Sequence, residues 1–102
     1  MTTYRIDVAP RARSQLMSIL GWWAKNRPAS PTLVLEEFEH VVELLARTPG
    51  LGRPYKPRPG VRRILLSRSQ YHVYYVIDQT RGVIRVVSLW HTARSKPPPI
   101  GR

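Results

Sequence analysis

Residues 61–91 read VRRILLSRSQYHVYYVIDQTRGVIRVVSLWH, three apolar runs parted by two short polar breaks. The runs, about 61–67, 70–78 and 83–90, are rich in Val, Ile, Leu and Tyr, residues that suit a pleated, half-buried backbone. Ser67-Arg68-Ser69 and Gln79-Thr80-Arg81-Gly82 have the length and polarity of hairpin connections, so the three runs predict an antiparallel meander. Two of these strands are apolar on both sides. In the middle run Tyr71, Val73, Tyr75 and Ile77 share one face, and Tyr74 and Val76 take the other. In the last run strict alternation sets Val83, Val87 and Leu89 against Ile84, Val86 and Trp90. One layer of helices covers only one face of a sheet. The second apolar face therefore calls for a partner chain or self-association, or reflects the tolerance of central strands for apolar residues.

Upstream of the meander lie the helices that would cover the first face. Tyr4, Ile6 and Val8 alternate with Arg5 and Asp7, which predicts a short strand over 3–8. From Pro10 to about Asn26 the spacing becomes helical. Ala12, Leu16, Ile19, Leu20 and Trp23 fall on one stripe, with Gly21 as a weak point and Trp22 turned to the flank. Arg27-Pro28-Ala29-Ser30-Pro31 breaks the chain. Ser30 is suited to cap a second helix that has Pro31 in its first turn and ends near Thr48, before Pro49-Gly50. Residues 49–60, PGLGRPYKPRPG, predict a loop without an element of its own. The order β-α-α-β-β-β is an α+β domain in which an N-terminal helical hairpin packs on a mostly antiparallel sheet. One domain over 1–95 and a Pro-rich C-terminal tail over 96–102, extended or frayed, account for the 102 residues.

Composition excludes several classes. The chain has no cysteine, which removes disulfides, thiolate chemistry and sulfur-ligated zinc. His40, His72 and His91 lack metal-ligand spacing, so neither a metal nor a cofactor is expected. No apolar run approaches the ~18 residues of a membrane span, and MTTYRIDVAPRAR is no signal peptide, so the expected setting is cytoplasmic. The net charge of +11 is unevenly placed. Residues 1–46 carry five basic and five acidic side chains, whereas 47–102 carry twelve basic ones against Asp78 alone. An anionic surface met by the C-terminal half would explain this, and so would solubility alone.

Several motifs then stand in a fixed order. After Arg47-Thr48-Pro49-Gly50-Leu51-Gly52-Arg53-Pro54 come Pro59-Gly60-Val61-Arg62-Arg63, Tyr71-His72-Val73-Tyr74-Tyr75-Val76, and Val86 through Arg94 (VVSLWHTAR). Over residues 4–94 this set resembles the RelE/ParE superfamily of toxins from bacterial type II toxin–antitoxin systems. The resemblance implies a cognate antitoxin that wraps the helices and sheet, for which Trp22, Tyr74, Val76 and Trp90 are the candidate contacts. It also implies one of two targets. RelE-like members cleave messenger RNA in the ribosome; ParE-like members poison DNA gyrase and are not nucleases.

Metal-free RNA cleavage needs a base for the 2′-hydroxyl, cations for the phosphorane and an acid for the leaving oxygen. The candidate nuclease set is His91 with Arg62, Arg63 and Arg94, His91 being the one group in it that titrates near neutrality. Cations for an anionic target also include Arg53, Lys56 and Arg58. RelE-like nucleases often carry a Tyr or a further His shortly after the last Arg. Here Ser95-Lys96-Pro97-Pro98-Pro99-Ile100 has neither, which favours the ParE-like branch, acting on gyrase. The alternatives are a ribosome-dependent mRNA endonuclease and a non-catalytic nucleic-acid-binding module. Whether the chain is an enzyme, and whether it oligomerises, is open in the sequence.

Overall fold

A computed structural model describes residues 3–100. Strand β1 (Arg5–Val8) runs straight into helix α1 (Pro10–Asn26). The Ala9 N–H donates to the Val86 carbonyl and the Ala9 carbonyl accepts from the Arg13 N–H, so one residue closes the strand and opens the helix. The expected stripe faces the core, and Gly21 does not interrupt the helix.

Helix α2 (Leu33–Arg47) begins later than the sequence suggests. Ser30 does not cap it, and Pro31 lies outside it. The Ser30 N–H bonds to the Arg27 carbonyl, and the Leu33 N–H to the Ser30 carbonyl. Two successive turns result, each with a proline at the position where fixed φ favours a turn over a helix start. The 49–60 segment also contains more structure than its composition implies. Pro49–Leu51 forms one 3-10 turn, and β2 (Arg53–Pro54) pairs with β3 (Val61–Leu66). Pro54 is tolerated there because β2 is an edge strand, where no N–H is required on the open side.

Strands β3, β4 (Tyr71–Asp78) and β5 (Val83–His91) form the expected meander. The five-stranded sheet has the order β1-β5-β4-β3-β2, antiparallel except where β1 runs parallel to β5. The helical hairpin packs on one face, α1 against β5 and α2 against β1 and β3, so that Ala12, Phe38 and Leu45 of the helices meet Val73, Tyr75 and Leu89 of the sheet in one core.

Strict alternation fails in β5. Tyr75 pairs with Val86 and Tyr74 with Ser88, so Val87 is an extra residue, a β-bulge. Beyond it the faces exchange: Leu89 joins Ile84 and Val86 under the helices, while Val87 and Trp90 lie on the outer face. The bulge lies beside Gln15 of α1. Its carboxamide oxygen accepts from the Leu89 N–H at 2.9 Å and the Ser88 hydroxyl at 3.3 Å, satisfying strand groups past the end of β1.

The outer face is covered by the chain itself. Val61, Tyr74 and Val87 form a second apolar cluster, with Tyr55 from the loop and Ile100 from the tail packed against it. Tyr55 stands edge-on to Tyr74 at 5.0 Å. Over its described residues, 96–100, the tail does not fray away from the domain but folds back across the sheet; residues 101 and 102 lie outside the described residues.

Candidate functional site

Adjacent strand residues point to opposite faces, and this separates the two arginines of β3. Arg62 turns to the helical side, where its guanidinium donates to the Gly52 carbonyl at 2.6 Å and, more distantly, to that of Gly50. These bonds tie Arg62 to the loop. Arg63 turns outward and lies over the Tyr55 ring at 5.3 Å. With Arg53 and Lys56 it borders one groove, and with His72, Trp90, His91 and Arg94 a second of about 430 Å³. Arg94 stacks on Trp90 at 4.3 Å, a cation–π contact, and also borders the groove beside Trp22. Arg58, also expected among the target contacts, donates to the Ile100 carbonyl. Of the predicted cations, Arg53, Lys56, Arg63 and Arg94 border the outer-face grooves, and Arg58 and Arg62 also bond to backbone carbonyls.

The loop that carries Arg53 and Lys56 is latched from below. The Tyr75 hydroxyl, at the buried centre of β4, donates to the Pro49 carbonyl and accepts from the Gly52 N–H, each at 2.8 Å. Burial raises the Tyr75 phenol above its ordinary value, against opposing contributions from the Gly52 N–H and Arg62. A Cβ on Gly52 would stand 2.6 Å from that hydroxyl and 2.8 Å from the Arg63 carbonyl, so the close approach requires glycine. Nothing in the sequence marks Tyr75 as different from its neighbours Tyr71 and Tyr74.

His72, unremarked in the sequence beyond its lack of metal spacing, faces outward beside Arg63 and Tyr74. Partial burial, and next the Arg63 charge, hold its pKa below the ordinary histidine value. The imidazole is therefore neutral near pH 7.

His91 closes β5. Its ring meets Tyr71 edge-on at 4.8 Å, and its Nδ1 accepts the Ala93 N–H at 3.0 Å. This bond is local, joining residues two apart in sequence. Of the four-residue nuclease set, His91, Arg63 and Arg94 border one groove, while Arg62 turns to the loop on the other face of β3.

The candidate antitoxin contacts are likewise divided. Trp22 is 47% exposed and borders a groove of about 550 Å³ with Trp23, Arg27, His91 and Arg94. Arg27 lies over both indole rings. Tyr74 is only 2% exposed beneath Tyr55 and Ile100, and Val76 and Trp90 are half-buried. Among the described residues no three His, Asp or Glu side chains gather as metal ligands, and no helix is long and apolar enough to cross a membrane.

The profile of a family described as the ParE toxin of the type II toxin–antitoxin system parDE matches residues 6–96. The chain belongs to the ParE toxin family. As a member of that family it is a type II toxin of the RelE/ParE superfamily, and solved structures carry the same fold. A chain of the chromosomal ParDE system of P. aeruginosa superposes with a TM-score of 0.70 at 18% identity, over 87% of this chain and 96% of that one. The isolated E. coli RelE toxin gives 0.64 at 21% identity, over 91% of this chain and 88% of its own. A chain of the E. coli RelBE toxin–antitoxin complex gives 0.64 at 20%, over 89% and 99%. No curated protein sequence matches this ParE-family toxin.

Proposed function

We propose that this chain is the toxic component of a toxin–antitoxin pair, acting as ParE-like toxins do by inhibiting DNA gyrase and so replication, and neutralised by a cognate antitoxin in the cytoplasm. The observation that carries the reading is the match of residues 6–96 to the ParE toxin family. The diversion of Arg62 to the loop carbonyls supports it. The outer-face cations Arg53, Lys56, Arg63 and Arg94 then serve to contact an anionic target by charge rather than to cleave it. The antitoxin reading rests on the exposed Trp22 and the arginine-rimmed groove around it, suited to an amphipathic segment carrying carboxylates.

The groove shared by His91, Arg63, Arg94 and aromatic rings is the feature that favours the rival reading, an mRNA endonuclease. Induction in bacteria separates the two. Gyrase inhibition predicts lost plasmid supercoiling, a DNA-damage response and intact mRNA, with toxicity retained in His91→Gln. Cleavage of translated mRNA with supercoiling unchanged would overturn the proposal. Binding to nucleic acid without toxicity would instead identify a plain binding module.

A further inference from the structure

We propose that Ser95–Ile100 is a built-in strap that lies over the outer face of the sheet and limits the access of anionic partners to Arg63, His72 and Arg94. This rests on the reading of the outer face as the surface that meets an anionic target. The strap is anchored at both ends. The Trp90 indole N–H donates to the Lys96 carbonyl at 2.9 Å, and the Arg58 guanidinium donates to the Ile100 carbonyl at 3.1 Å. Between these anchors Pro97-Pro98-Pro99 favours an extended polyproline run, which spans about 3 Å per residue and loses little freedom on docking. The Ile100 side chain packs on the cluster of Val61, Tyr74 and Val87. Ser95 to Pro98 form one wall of the groove whose other walls carry Arg63, His72 and Arg94.

The chemistry of attachment suits a strap that opens. Its anchors are two hydrogen bonds to backbone carbonyls and one half-buried aliphatic side chain, and among the described residues no ion pair holds it. Salt therefore weakens the attraction of the face for anions while leaving the strap in place. The two occupants compete for one surface, and the arriving anion is the one favoured at low ionic strength.

Two variants test this. Ile100→Ser removes the plug without changing charge. Truncation after Ser95 removes the whole strap along with two positive charges, Lys96 and Arg102. Charge alone predicts that truncation weakens anion binding; the strap predicts that it tightens it. The probes are the Trp90 indole resonance of the 15N-labelled protein and fluorescence anisotropy with a short labelled oligothymidylate at low salt. Both variants should shift the Trp90 signal and leave those of Trp22 and Trp23 in place. Both should also tighten oligothymidylate binding about three- to tenfold, as expected if the open form is populated at about a tenth to a third. An unmoved Trp90 resonance, or unchanged or weaker affinity in both variants while Arg63→Ala weakens binding in the full chain, overturns the strap alone. If Arg63→Ala leaves affinity unchanged, the outer face is not the anion surface and access control falls together with that reading.

Discussion

Replacing Tyr75 with Phe removes one oxygen from the protein and two hydrogen bonds from its interior. The ring is fully buried and Phe fills the same space, so packing is almost untouched. What changes is that the Gly52 N–H, itself buried, and the Pro49 carbonyl both lose their partner. A stranded buried donor or acceptor costs roughly 1–3 kcal/mol, and two of them, one only partly enclosed, give a destabilisation of about 2–4 kcal/mol. With an m-value of about 1–2 kcal/mol/M, the urea midpoint should fall by about 1–4 M. Equilibrium urea unfolding followed by circular dichroism measures it. A second variant makes the test specific to the latch. Gly52→Ala places a Cβ 2.6 Å from the Tyr75 hydroxyl in the parent, a contact that Tyr75→Phe removes, although the ring Cε1 and the Arg63 carbonyl, both at 2.8 Å, remain. The double variant should therefore be less destabilised than the sum of the singles by at least about 0.5 kcal/mol. A loss under about 1 kcal/mol in Tyr75→Phe, or strict additivity, would show that water or another group serves these loop atoms and that the latch reasoning is wrong.

Burial holds the Tyr75 proton more tightly in the folded than in the unfolded chain, so its contribution is complete below the ordinary tyrosine value of 10.0 and is lost as pH rises through the higher folded value. Alkaline unfolding should lose that component in Tyr75→Phe. His72 works in the opposite sense: its folded pKa lies under 6.5, so its contribution is present above 6.5 and is lost as pH falls through the folded value. Its NMR titration midpoint should lie below 6.5 and rise part-way in Arg63→Ala, burial being the larger cause; a midpoint at or above 6.5 in the parent refutes this. Gln15→Ala strands the Leu89 N–H at the bulge and should cost about 1–3 kcal/mol by urea unfolding, well beyond an ordinary exposed helix substitution. Gly21→Ala meets open space in the middle of α1 and should add about 0.5–1 kcal/mol, read as a higher thermal midpoint.

Both helices, the meander and the sheet face that receives Tyr71, Val73, Tyr75 and Ile77 are legible in the sequence, because each rests on a local period that side chains impose on their own backbone. The bulge is not legible. Val86 and Val87 are equally apolar, so either phase satisfies the composition, and the choice depends on Gln15 reaching across from α1 to the strand edge. The start of α2 misleads for a related reason: Ser30-Pro31 suits a helix start and a turn alike, and Pro28 just before it commits the chain to two turns.

The candidate site divides along the same line. Charge asymmetry locates the cations in the second half of the chain, and alternation requires Arg62 and Arg63 to part. Which of them faces the open surface depends on the loop carbonyls that receive Arg62, and the cover of the outer face depends on Tyr55 and Ile100 arriving from distant positions. By itself, then, the order of residues determined β1, the two helices, the three strands of the meander and the basic character of one half, since these follow from short-range sterics and from a sum of charges. Only the folded arrangement decided which cations stand free, which nitrogen of His91 is occupied and what lies over the second apolar face, because each depends on hydrogen bonds and contacts between segments that the sequence holds far apart or leaves free to turn.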